Sequence, residues 1–148
     1  MRPKILIVSG TIGTASEVYR CHNLQEQLNY AGFLSNIITF NHPKLLSIAS
    51  LHDIIVIHRV PYDGFIDRLF DLRKTIVFDI DDLVFDPDSI KHVDGLSYLT
   101  PEEVVTYTEG VARHRETLLR SDYVFASSEF LAGKIKKLGK DTPKYCIN

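Results

Sequence analysis

The chain has 148 residues, with 17 Lys and Arg against 19 Asp and Glu and a formal net charge of -2. That length suits a single domain with its own core, and the balanced charge lacks the basic footprint of a nucleic-acid binder, so no nucleic-acid partner is expected. Cys21 and Cys146 have no second Cys or His at metal-ligand spacing, no apolar run approaches the ~18 residues of a membrane span, and the apolar stretch at 5–8 is too short for a secretory signal. Reduced thiols, no zinc site and a soluble, cytoplasmic protein are the expectation.

Short apolar runs alternate with longer helical patterns, the mark of βαβ units around a parallel sheet. The expected fold is therefore α/β, a Rossmann-like three-layer αβα sandwich with a mainly parallel sheet, spanning 1–148 as one domain. The first strand is expected at 4–9. The turn after it, Ser9-Gly-Thr-Ile-Gly-Thr14, carries Gly10 and Gly13. These glycines suit either backbone amides approaching an anionic or polar ligand, or a tight turn with close helix packing. A dinucleotide fingerprint would need a third glycine and an acidic residue closing strand 2, which closes on Thr39-Phe-Asn41. NAD is not expected, and no cofactor is assigned.

The first helix opens on Thr14-Ala-Ser-Glu17, a capping box, and places Val18, Cys21, Leu24, Leu28 and Ala31 on one apolar stripe that stops at Gly32. Arg20 lies off that stripe. Strand 2 is expected at 34–40 and strand 3 at 53–58, ending in His58-Arg59-Val60-Pro61. The stretch 62–72 carries Phe65, Ile66, Leu69 and Phe70, which suits an amphipathic helix packed on the sheet better than membrane contact. After strand 4, at 75–79, comes a loop at 83–100 that is longer than usual connections, and such loops are often functional or mobile. A second capping box, Thr100-Pro-Glu-Glu103 with Pro101 at the first helical position, opens a long helix to about Arg120. Strand 5 follows at 122–126. A helix at 128–138 then buries Leu131, Ile135 and Leu138 and leaves Lys136 and Lys137 to solvent before Gly139, and a last strand is expected at 144–147.

The segment Thr75-Ile-Val-Phe-Asp-Ile-Asp-Asp-Leu-Val-Phe85 ends an apolar strand in Asp79, Asp81 and Asp82. Buried carboxylates are costly, so the three are expected at the rim of the sheet, within reach of solvent or a ligand. His58 and Arg59 arrive at the same rim, where Arg59 could instead neutralise Asp81 or Asp82. If the strand order reverses there, the rim is a crevice. Asp81 and Asp82 are the candidate catalytic groups. Gly10, Gly13, Arg20, His58, Arg59 and Asp79 are the candidate substrate contacts, and no metal site is assigned. Asp-x-Asp after an apolar strand also resembles the first motif of haloacid-dehalogenase-like phosphatases, which would make Asp79 a nucleophile and Asp81 a general acid/base around magnesium. Its place on the fourth strand, Asp82 where a Gly is usual, and the lack of a later Asp pair weigh against that reading.

Taken in order, Lys4-Ile-Leu-Ile-Val-Ser-Gly10, Ser16-Glu-Val-Tyr-Arg-Cys-His-Asn-Leu24, Ile57-His-Arg59, Phe78-Asp-Ile-Asp-Asp-Leu83, Ser121-Asp-Tyr-Val124 and Ser127-Ser-Glu-Phe-Leu-Ala132 resemble the N-terminal domain of GT-B glycosyltransferases of the group 1, or family 4, type. The resemblance implies two Rossmann-like domains facing across a cleft, the first receiving a glycan or other hydroxyl acceptor and the second binding a nucleotide-sugar donor. It implies transfer with retention and no active-site metal. Gly10 and Gly13 fall in the loop such proteins bring close to donor and acceptor, Arg20 is a candidate phosphate contact, and Asp81 falls where many relatives place a cleft histidine. Asn148 falls about where the family chain crosses to its second domain, so a donor-binding half is expected outside this sequence and the chain alone is expected to be inactive. A non-enzymatic binding or scaffold module, or a subunit of a split enzyme, is the alternative.

Overall fold

A computed structural model describes residues 2–139. The strand expected at 144–147, together with Cys146 and Asn148, lies outside the described residues. Five strands form one all-parallel sheet in the order β2-β1-β3-β4-β5: β1 Lys4–Ser9, β2 Leu34–Thr39, β3 Ile54–His58, β4 Thr75–Ile80 and β5 Tyr123–Ala126. The order reverses between β1 and β3, the topological switch point at which open α/β sheets take their ligands. The fold is the expected Rossmann-like α/β architecture.

β3 and β5 begin one residue later than the expected 53 and 122, for the same reason. Asp53 and Asp122 stand just ahead of β3 and β5, where their carboxylates accept from the amides of Lys4 and Ile76 on the neighbouring strands, each at 2.8 Å. They tie strand starts together in place of extending them.

Alternation along the strands divides the core by face. Leu6, Val8, Ile55, Ile57, Ile76, Phe78 and Ile80 point to one face, under α3 (Leu45–Ser50), α4 (Gly64–Phe70), α5 (Pro101–Arg120) and α6 (Glu129–Lys137). The residues between them, Ile5, Ile7, Val56 and Val77, point to the other face. There they meet a single helical run made of α1 (Ala15–Glu17), a π turn (Val18–His22) and α2 (Asn23–Tyr30). The stretch 62–72 does pack on the sheet: Asp63 caps α4 by accepting from the Phe65 and Ile66 amides, and Ile66 and Leu69 are buried. No cap or long stripe announces α3.

The π turn corrects the expected stripe. A π turn accommodates an extra residue and shifts the helical phase, so Cys21 is buried and Leu24 and Leu28 pack half-buried, while Val18 is 50 % exposed and Ala31 is exposed. The capping box at Thr14 is half formed: Thr14 Oγ1 accepts from the Glu17 amide at 3.2 Å, but the Glu17 carboxylate reaches past Thr14 to the Gly13 amide at 2.7 Å. The box at Thr100 is complete. Segment 83–100 is not an open loop, since it folds into two short 3-10 helices, Pro87–His92 and Asp94–Tyr98. No described helix is long and apolar enough to cross a membrane.

Candidate functional site

Register and alternation build the site. Ser9, His58 and Asp79 are partners across β1, β3 and β4 and lie at or near the carboxyl ends of those strands, on the face covered by the first helical run. All three are essentially buried, with exposures of 0, 1 and 1 %. This overturns the expectation that Asp79 is reachable from solvent: β4 continues through it to Ile80, and its carboxylate turns under the helix.

The helix supplies what that burial requires. Arg20 grips both oxygens of Asp79, Nε donating to Oδ2 at 3.1 Å and Nη2 donating to Oδ1. His58 Nδ1 donates to the same Oδ2 at 2.8 Å. Burial works against the Arg20 charge, but the hydrogen bonds and charge of Asp79, with the charge of Asp81, hold its guanidinium above the ordinary value. The cavity beside Arg20 and Asp79 is about 20 Å³, room for roughly one water. Asp79 therefore presents no free oxygen to a phosphate, and the reading that makes it a magnesium-assisted nucleophile does not fit.

One helical turn before Arg20, Ser16 joins this cluster to the rim. Its hydroxyl donates to Asp81 Oδ2 at 2.7 Å and lies 3.0 Å from His58 Nε2. Arg59 Nη1 stands 3.5 Å from Asp81 Oδ1. The result is a continuous chain from Arg20 through Asp79, His58 and Ser16 to Asp81, with Arg59 facing its end. Ser16, His58 and Asp79 have the order and spacing of a nucleophilic triad, but Arg20 occupies the Asp79 oxygens and the shorter Ser16 contact sends its proton to Asp81. The cluster is an ion-pair lattice that ends on a carboxylate.

Asp81 is that end. Its side chain is 23 % exposed, and Oδ1 is a buried atom without a hydrogen-bond partner, since the Arg59 contact is too long to provide one. Thr11 Oγ1, on the loop after β1, is the other buried side-chain atom without a partner among the described residues. Of the two carboxylates considered for Arg59, it is Asp81 that Arg59 faces. Asp82 stands apart, exposed, with Oδ1 accepting from the Leu83 amide at 2.7 Å.

The glycines have backbone reasons. A Cβ on Gly10 would fall 2.4 Å from the Arg59 carbonyl oxygen, because the Gly10 amide donates to the His58 carbonyl at 2.8 Å and draws the two strand ends together. Gly13 takes a φ of 72° in the turn before the helix. Arg59 itself has a φ of 49°, a left-handed conformation that costs about 1–3 kcal/mol outside glycine. His114 on α5 meets it there, with Nε2 3.2 Å from the Arg59 carbonyl and Nδ1 2.8 Å from the Gly110 carbonyl.

Of the residues expected at the site, the fold joins Arg20, His58, Arg59, Asp79 and Asp81 and packs Gly10 against them. Ser9, Ser16, Thr11 and His114 join them without being among the residues expected there. Ser16 had a signal in its i,i+4 spacing from Arg20. Cys21, one position beyond Arg20, is fully buried, and burial pushes its thiol up to about 12, so it is an inert core group. Among the described residues no cluster of three or more His, Cys, Asp or Glu is placed to hold a metal ion. The chain matches no protein-family model and no curated protein. Fold and site define it as a Rossmann-like α/β protein with a charged, hydrogen-bonded rim at its topological switch point.

Proposed function

We propose that this chain is the acceptor-side half of a retaining GT-B glycosyltransferase, working opposite a second Rossmann-like half that binds the nucleotide-sugar donor. The observation that carries the reading is Asp81. It lies at the carboxyl end of β4 beside the switch point, its Oδ2 is fixed by Ser16, and its Oδ1 lacks a hydrogen-bond donor. A carboxylate oxygen in that state suits an acceptor hydroxyl, which would donate to it while Arg59 balances the charge. The buried pair of Arg20 and Asp79 orients this arrangement from beneath and touches no substrate. The sequence resemblance to the acceptor-side domain supports the same reading.

The test is transfer by the chain combined with a donor-binding half, using radiolabelled nucleotide-sugar and glycan acceptors. Transfer is expected from the pair and from neither half alone, and Asp81→Asn is expected to lower kcat/KM by roughly 10²-fold or more. Turnover unchanged by that substitution removes Asp81 from the reaction. Sustained inactivity of the pair, with glycan still bound, favours the binding or scaffold module.

A further inference from the structure

Segment 83–100, which the sequence marks as unusually long, walls a second cavity that the chain from Arg20 to Arg59 does not use. The cavity is about 210 Å³ and opens between the end of β4, the first 3-10 helix and α5. Leu83, Val84 and Val93 give it an apolar side, and Asp82, His92 and Tyr107 give it a polar one. We propose that this cavity is a docking subsite for one neutral, hydroxyl-bearing ring, of the size and chemistry of a pyranoside.

Three observations carry the assignment. Size comes first, because sites for drug-sized ligands run to about 300–1,000 Å³, so this one suits a single ring. The second is the donor and acceptor set. Asp82 keeps one carboxylate oxygen beyond the one its own loop amide uses, and the His92 ring and Tyr107 hydroxyl have no hydrogen-bond partner among the described residues. A carboxylate only accepts, whereas a neutral imidazole and a phenol both donate and accept. Hydroxyl groups answer that mixture. A phosphate, which carries acceptors and negative charge, would meet Asp82 with no Lys or Arg in the lining.

The third observation is that the wall is built in advance. Ser89 Oγ donates to the carbonyls of Leu83 and Asp86 at 3.1 and 2.6 Å, Asp86 Oδ1 caps the 3-10 helix through the Asp88 amide at 3.1 Å, and Lys134 on α6 holds Asp86 Oδ2 at 3.1 Å. Little ordering is left for a ligand to bring about. Asp82 directly follows Asp81, so a ring seated here lies beside the proposed acceptor carboxylate. In that respect the subsite rests on the transferase reading, and it gives Asp82 a binding role in place of a catalytic one.

The experiment is an amide and side-chain NMR titration of the full chain with methyl α-glucopyranoside and methyl α-mannopyranoside, with cyclohexylamine as a cationic ring of similar size. Shifts are expected at 82–84, 92–93 and 107 for at least one glycoside, with binding about tenfold weaker in Tyr107→Ala and in Asp82→Asn. Tyr107→Phe, which keeps the ring and loses the hydroxyl, separates a polar contact from loss of fold. Absent shifts, shifts that persist undiminished in both Tyr107→Ala and Asp82→Asn, or preference for cyclohexylamine overturn the subsite. Glycoside binding here without sugar transfer by the combined halves upholds the subsite and removes the transferase reading. Transfer without glycoside binding does the reverse.

Discussion

Asp79 shows what one buried carboxylate demands. It is 1 % exposed and survives only because Arg20 and His58 take its oxygens. Removing one partner of a buried pair leaves the other charge uncompensated, so Asp79→Ala is expected to cost about 3–5 kcal/mol in urea unfolding. Asp82→Asn, on an exposed neighbour, should stay within about 0.5 kcal/mol of the parent. Equal stability of the two variants would show that the ion-pair lattice does not hold this rim together.

His114 is expected to make stability depend on pH. Burial lowers its pKa from the ordinary 6.5 and outweighs the two carbonyl contacts that raise it, and the charges of Arg59 and Arg113 lower it further. The folded state then binds fewer protons than the unfolded chain, so the contribution is complete above 6.5, declines as pH falls toward the folded pKa, and is flat below it. Thermal unfolding followed from about pH 7 down to about pH 5 should show a shallower loss in His114→Asn than in the parent. Parallel curves would show that His114 takes up its proton equally in both states.

At the scale of elements, the two capping boxes separate what a motif states from what its surroundings allow. Thr100 and Glu103 satisfy each other at 2.8 and 3.3 Å on an exposed helix start with nothing competing. Thr100→Ala is accordingly expected to lower stability by about 0.5–2 kcal/mol, read as a shift in the denaturation midpoint at constant slope. A shift below that range would mean that Pro101 and packing set the start of α5 alone. At Thr14 the same four-residue pattern yields half a box, because the Thr14 amide turns to the Thr11 carbonyl at 3.3 Å and leaves Glu17 the Gly13 amide. The π turn that follows was not legible either. Its residues, Val18 to His22, carry no local mark, and the turn places Arg20 over Asp79 while Val18 and Tyr19 face out, 50 and 70 % exposed. Pairing of Arg20 with a carboxylate 59 positions away outweighs the regular helix phase.

At the scale of the molecule, the parallel sheet, the strand positions, the long helix and the arrival of Gly10, His58, Arg59 and Asp79 at one edge were all present in the order of apolar runs and breakers. Those features depend on local period and on residues that start or stop an element, which a linear chain carries openly. Which carboxylate faces inward was decided only when β3 and β4 came into register. His58 and Asp79 became partners, the helix above offered Arg20, and Asp81 two positions on was left with one unsatisfied oxygen. The cavity between Asp82, His92 and Tyr107 arose in the same way, where the stretch 82–93 folds back and meets α5. Sequence determined what each element is and where its polar residues emerge. Tertiary structure determined which of those residues are partners, because burial and hydrogen-bond satisfaction belong to neighbours in space and not to neighbours in the chain.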